Sequence, residues 1–275
     1  MYIETLPVEA EREIKKVVEV AGYLWQREWA ERNGGNISLD LTEYFEGVEL
    51  ELSQFAHNPL TIVGDGAGFP KDSAGHVFFV KGTGERIREL REPHLAGCIL
   101  KIDETAEGYH LLWGGRGDPH FKPTSEFISH VEIMMDKQRS GSNHRCVVHS
   151  HPLELIALSH LPKCSSNENN FTEVCWQMLP EVRAFVPQGI GIVPYCMPGS
   201  QDIAVGTMEK LRNHDVAIWE KHGAVATGVD VAEAFDFMDV ANKGAKLYLM
   251  CLSAGFEPQG VSEADMLLLK ETFNL

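Results

Sequence analysis

The sequence predicts an α/β protein: one domain in which helices cover a mixed, largely antiparallel central sheet. Three observations carry this. Strand-like runs in the first half of the 275 residues include a hairpin, which gives antiparallel pairing. In the second half, strands alternate with helical patches. No internal repeat, low-complexity run or linker interrupts the chain, so a single domain is expected over residues 1–275.

Taken in order, residues 8–32 place Ile14, Val17, Val18, Ala21, Leu24, Trp25 and Trp29 at steps of three and four, the apolar stripe of one helix. Pro7 suits its start and Gly34-Gly35 its stop. Ile37, Leu39 and Leu41 then alternate with polar residues, as in a half-buried strand. Residues 42–75 read as loop and end in Gly64-Asp65-Gly66-Ala67-Gly68, which lacks the spacing of a nucleotide-binding G-x-G-x-x-G turn.

Strands are expected over 76–81, 98–103 and 109–113, the last two joined as a hairpin. A helix over 125–135 puts Phe127, Ile128, Val131, Met134 and Met135 on one face, with Thr124 or Ser125 placed to cap it. An apolar strand at 146–148 runs into His149. Helices over 152–160, 171–178 and 202–213 alternate with strands over 182–186, 190–195, 215–219 and 224–227. A long helix over 231–252 and a short one near 263–272 complete the chain.

Composition narrows the function. Forty acidic against 24 basic residues give a formal charge of −16, which repels nucleic acid and anionic membranes. Any anionic ligand must therefore be held locally, by N–H groups, hydroxyls, a few bases or a metal. The six cysteines are widely spaced and include no C-x-x-C pair, as expected for reduced thiols in a cytoplasmic protein. The N-terminus has neither the basic start nor the apolar stretch of a signal peptide, and no run approaches the ~18 apolar residues of a membrane span.

His149-Ser150-His151 lies at a strand end, where residues two apart project from one face and both imidazoles can reach one ion. Twelve histidines give roughly 0.5 such pairs per chain by chance, so the pair alone decides nothing. His222 strengthens it, because it precedes Gly223 at the edge of another strand. Three imidazoles with one open position describe a catalytic zinc site, whereas a structural zinc takes four closed ligands, usually with thiolates.

Thr124-Ser125-Glu126 reads either as a helix start or as an anion site with a neighbouring carboxylate base. Asn33-Gly34-Gly35-Asn36 and Lys81-Gly82-Thr83-Gly84 are turns that expose backbone N–H groups, and each is by itself an ordinary turn or part of a phosphate cradle. Glu181, after Pro180, is an ordinary loop acid on its own. His76, His94, His110 and His144 read as surface or hydrogen-bonded histidines.

Glu31-Arg32-Asn33-Gly34-Gly35-Asn36, Gly108-Tyr109-His110-Leu111-Leu112-Trp113-Gly114, Pro123-Thr124-Ser125-Glu126, His149-Ser150-His151 and Trp219-Glu220-Lys221-His222-Gly223 occur in this order, and together they resemble the class II aldolase family. The resemblance runs from about residue 20 to residue 250. It implies the family's three-layer fold and cleavage of a ketose phosphate. It implies one Zn2+ per subunit on His149, His151 and His222, with Glu126 as the acid/base at the metal. It further implies a phosphate site from Asn33, Gly35, Asn36, Thr83, Gly84, Thr124 and Ser125. A homotetramer is implied too, with Glu181 reaching a neighbouring subunit's active site. Two departures stand out: Gly82-Thr83-Gly84 replaces the family's Gly-Ser-Gly, and the stretch around Glu181 aligns loosely. Epimerases, dehydratases and non-catalytic binding modules share the family.

Overall fold

The computed structural model describes residues 2–60 and 68–274, so Gly64–Ala67 of the glycine cluster lie outside the described residues. Two compact units are present, Met1–Val148 with Gly228–Ala232, and His149–Thr227 with Glu233–Leu275.

The first unit contains α1 (Val8–Gln26), β1 (Asn36–Asp40), β2 (Ala56–Pro59), β3 (Val77–Lys81), α2 (Pro93–Ala96), β4 (Gly97–Ile102), β5 (Gly108–Gly114), α3 (Phe127–Arg139) and the start of β6 (Cys146–Ser150). Its strands run in the order β2-β5-β4-β3-β1, with β6 beside β1. The pairings β1–β3, β2–β5, β3–β4 and β4–β5 are all antiparallel. The expected hairpin is β4–β5, with Ile102 opposite Tyr109. Strand β2 falls within the stretch expected to be loop; four residues of which one is proline give little periodicity to read.

Helix α1 ends six residues earlier than expected, and the reason is local. Glu28 adopts left-handed backbone at φ 61°. Trp29 N–H donates to the Leu24 carbonyl (3.0 Å) and Glu28 N–H to that of Trp25 (3.1 Å), the bond pattern of a Schellman stop. Trp29 is buried by that reversal and not by a continuing helix face, and Trp25 is left 43% exposed beneath the Arg88 guanidinium. A glutamate occupies the position where glycine is usual, so the sequence carried no stop signal there.

Strand β1 is also more buried than its alternating pattern implied. Ile37 and Leu39 lie on one face, and Asn36, Ser38 and Asp40 on the other are buried as well. Each polar residue has a partner in the same unit. Asn36 reaches Glu126, and Ser38 Oγ pairs with His130 Nδ1 at 2.8 Å. Asp40 accepts from Thr42 N–H (2.9 Å), Gln138 Nε2 (3.2 Å) and His76 Nδ1 (2.9 Å). Each of these buried polar side chains makes at least one hydrogen bond, which offsets the cost of its burial.

The second unit continues from the end of β6 through α4 (Leu153–Ser159), α5 (Pro162–Ser165), α6 (Glu168–Met178), α7 (Pro180–Phe185), β7 (Ile190–Val193), α8 (Gln201–Leu211), β8 (Val216–Trp219), β9 (Gly223–Gly228), α9 (Val231–Ser253) and α10 (Glu263–Phe273). Strands β7 and β8 are parallel and joined through α8, whereas β8 and β9 form an antiparallel hairpin. The mixed, largely antiparallel α/β class is therefore borne out. The strand expected over 182–186 is instead α7: Pro180 occupies the first helical position, Glu181 lies in the first turn, and of the apolar run only Val182 and Val186 are buried. All six cysteines are free, and among the described residues no helix is long and apolar enough to cross a membrane.

The His76–Asp40 pair gives the fold a pH signature. The hydrogen bond to Asp40 raises His76 above the usual imidazole range against the effect of burial. Burial pushes the Asp40 carboxyl up, but the bonds from His76 and Thr42 outweigh it and leave the carboxyl below its usual range. The raised histidine stabilises the fold fully below its unfolded value near 6.5 and ceases to do so as pH rises through the folded value. The lowered aspartate acts above about 3.9 and is lost as pH falls through its own folded value. His76→Asn should therefore cost about 1.5–3 kcal/mol between roughly pH 4 and 6.5, and less on either side. Denaturant unfolding of both proteins across pH checks this; a pH-independent difference would exclude it.

Candidate metal centre and anion-binding turns

Strand β6 carries His149, which is buried, next to its last residue, Ser150, and His151 leads on into Pro152 and α4. Asn242 of α9 fixes that exit: its Oδ1 accepts the Leu155 N–H at 3.1 Å, and its Nδ2 donates to Glu154 at 2.8 Å. The third imidazole comes from the turn between β8 and β9. There Lys221 takes left-handed backbone at φ 63°, its N–H donates to Ser159 Oγ (2.9 Å), and His222 N–H closes the turn onto the Trp219 carbonyl (3.0 Å).

The three rings form a nearly equilateral set, with centroids 5.2, 5.4 and 5.4 Å apart, and their donor nitrogens lie within 4.8 Å of one another. His149 Nδ1 lies 2.9 Å from the Ala224 carbonyl; donating there leaves Nε2 as its ligand atom. Trp219 packs against both His149 (4.2 Å) and His222 (5.0 Å), and its Nε1–H is anchored on Thr207 Oγ1 at 2.6 Å. Gly223 permits the arrangement. A Cβ there would meet the Ser150 carbonyl at 2.6 Å and the rings of His149 and His151 at 3.0 Å. Three imidazoles on a dense cradle, with no thiolate or carboxylate in the group, fit a divalent ion such as zinc bonded at about 2.0–2.1 Å.

In the first unit the three turns singled out in the sequence converge. Gly82 and Pro123 form an isolated antiparallel bridge. Thr83 N–H donates to the Lys122 carbonyl (3.0 Å) and Thr124 N–H to that of Lys81 (2.9 Å). Thr83–Gly84 thus lies alongside Thr124–Ser125. Asn33, Thr83, Gly84 and Ser125 are exposed, whereas Gly35, Asn36 and Thr124 are buried. Gly35 and Gly84 have φ of 73° and 72°, backbone that favours glycine.

Glu126 occupies the N-cap of α3 and makes no side-chain cap bond itself, while Thr124 Oγ1, expected at the helix start, accepts the Glu126 N–H at 3.5 Å. The Glu126 carboxylate instead accepts from Asn36 Nδ2 at 2.5 Å. Asn36 Oδ1 is buried and has no hydrogen-bond partner among the described residues. Glu181 is exposed in the first turn of α7.

Sequence reasoning missed three features of this geometry. Trp219 lay inside a quoted motif but gave no sign of stacking on the ligands. Asn36, expected at the phosphate site, gave no sign that its amide also holds Glu126. Lys81 passed as the first residue of a turn, yet its position at the end of an apolar strand, where a lysine is out of place, was a legible signal.

Comparison with known proteins accords with this geometry. Residues 15–249 match the family described as Class II Aldolase and Adducin N-terminal domain. A rhamnulose-1-phosphate aldolase of Bacteroides thetaiotaomicron is 40% identical over 266 residues, covering 96% of this chain and 95% of that protein. One from Yersinia pseudotuberculosis is 31% identical over 265 residues, covering 95% and 93%. Among solved structures, a sugar-phosphate aldolase from Thermotoga maritima superposes with a TM-score of 0.75 at 33% identity, over 92% of this chain and all of that one.

Because Gly223 touches two of the three imidazoles without being a ligand, Gly223→Ala should weaken divalent-metal binding by about 10- to 100-fold, the range for residues that orient ligands. Competition of the purified variant against a chromophoric chelator measures this, and unchanged affinity would show that the close approach is irrelevant to the site.

Proposed function

The chain belongs to the class II aldolase family and is a lyase acting on a sugar phosphate; from that premise we propose that it cleaves L-rhamnulose 1-phosphate to dihydroxyacetone phosphate and L-lactaldehyde. The observation that carries this reading is the three-imidazole cluster. The substrate follows the names of the 40% and 31% identical relatives.

Cleavage breaks the C3–C4 bond: the C4 hydroxyl loses its proton, C4 becomes the aldehyde carbon, and the electron pair passes to C3, which is then protonated. Zinc held by His149, His151 and His222 would supply Lewis acidity toward the ketose oxygens, the task a lysine Schiff base performs in other aldolases. Neutral imidazoles suit that task because thiolates would cancel the ion's charge.

Glu126 is assigned the C3 proton. The Asn36 amide orients the carboxylate and leaves its second oxygen available for that transfer. The turns bearing Asn33, Gly35, Thr83, Gly84, Thr124 and Ser125 bind the phosphate through hydroxyls and backbone N–H groups. Within the same reading, the subunits assemble as a cytoplasmic homotetramer in which Glu181 serves a neighbour's site, and its exposure on α7 is compatible with that role.

The test is product analysis of L-rhamnulose 1-phosphate incubated with purified, zinc-loaded protein. Triose phosphate and lactaldehyde in equal amounts are expected; a C4 epimer or a dehydrated sugar would transfer the chain to an epimerase or dehydratase activity. Glu126→Gln preserves an acceptor for Asn36 and should lower turnover about 10²- to 10⁴-fold with zinc retained. His222→Ala should lower zinc content and activity together, and stoichiometric zinc in that variant would refute the ligand set.

A further inference from the structure

The chemistry above makes no use of Lys81, yet its setting is unusual. It is 2% exposed at the end of β3. Its Nζ donates to the carbonyl oxygens of Glu85 (2.6 Å), Gly82 (3.3 Å) and Asn33 (3.5 Å). Those carbonyls belong to two of the converging turns, so one ammonium ties the Asn33 turn to the Gly82–Glu85 turn. Among the described residues no carboxylate lies within ion-pair distance of it. Glu85 is the nearest acid in sequence, and its carboxylate is engaged by Arg116.

A cation withdrawn from water and met only by carbonyl dipoles is costly, and folds retain such groups where an opposite charge repays them. A neutral donor would link the turns equally well, so the clamp alone does not explain a charged residue here. We propose that Lys81 is the buried cation of the phosphate cradle, a positioning residue that fixes the two turns and supplies the positive charge for the phosphate ester of the substrate. The inference rests on the reading of these turns as the phosphate site. The carriers named for that site are otherwise neutral, and the chain's charge of −16 makes a local cation more necessary.

Burial lowers Lys81 to about 8, while Glu85, Glu126 and Glu89 pull it upward. The ammonium is therefore mostly protonated at neutral pH and responsive to a nearby anion. A bound dianion adds a favourable charge and moves the midpoint up.

The experiment uses inorganic phosphate as probe, with full-length zinc-loaded protein. Lys81→Gln keeps hydrogen-bond donors and removes the charge, and Lys81→Met removes both. Calorimetric titration should show phosphate binding to the parent protein weakened at least 10-fold in both variants, with zinc content and far-UV circular dichroism unchanged. If Lys81→Gln binds phosphate like the parent, the lysine is only a clamp and the proposal is wrong. If the parent itself binds neither phosphate nor dihydroxyacetone phosphate, the phosphate-site reading fails first and this inference falls with it. Should both variants misfold, 15N NMR of the parent decides: the lysine ammonium titrating near pH 8 must shift its midpoint upward on phosphate addition, and a fixed midpoint overturns the assignment.

Discussion

At Gly223 the backbone of the β8–β9 hairpin lies against the end of β6 so closely that a β-carbon would sit 2.6 Å from the Ser150 carbonyl. The rest of the metal centre follows from that contact. With no side chain between them, His149 and His151 at the end of one strand and His222 at the edge of another share a space in which no centroid pair exceeds 5.4 Å. The left-handed backbone at Lys221 turns the hairpin in time to deliver His222, and Trp219 fills the volume behind the rings. Such a site is set by backbone approach first and by side-chain choice second, which is why a glycine that coordinates nothing belongs to it.

A different device orders the surroundings of Glu126, the proposed acid/base. Strand β1 is buried on both faces, and its polar face is filled by Asn36–Glu126, Ser38–His130 and Asp40–His76 pairs in place of hydrocarbon. Buried polar pairs contribute little net stability, because desolvation offsets most of each bond, but a mispaired alternative costs more than any of them gains. The register of β1 against α3 is therefore specified at Asn36 and Ser38, and again at Asp40 through Gln138, and Glu126 inherits that precision from the first of them.

Legibility in the sequence divides along the same line. The β4–β5 hairpin, the helices α3 and α9 and the strands β7 and β8 were readable from apolar runs and helical periodicity. The overrun of α1 has a single cause, a Schellman stop built on Glu28 where the rule expects glycine. Residues 182–186 read as a strand because three branched or aromatic residues mask a helix begun by Pro180. The double burial of β1 was invisible, since serine, asparagine and aspartate look solvated until their partners, up to 98 residues away, are known. The imidazole cluster was legible because His222, before Gly223 at the edge of another strand, joined a His149/His151 pair that composition alone would explain. Lys81 was overlooked because it was read as the first residue of a turn, although its place at the end of the apolar run of β3 already set it apart.

The charge balance explains why both halves of the chemistry use so few formal charges. A net −16 opposes a phosphate ester at long range, but exposed charges act weakly beyond a Debye length of about 8 Å at physiological ionic strength. Within that radius the outcome is decided by what is desolvated. In the proposed reading, neutral imidazoles would leave the charge of a divalent ion intact, and the buried Lys81 ammonium would add a positive charge to the turns against the nearby carboxylates of Glu85, Glu126 and Glu89. An acidic chain and a local anion site are thus compatible in that reading, because a positive centre held away from water, as the Lys81 ammonium is, is screened less than exposed charges are.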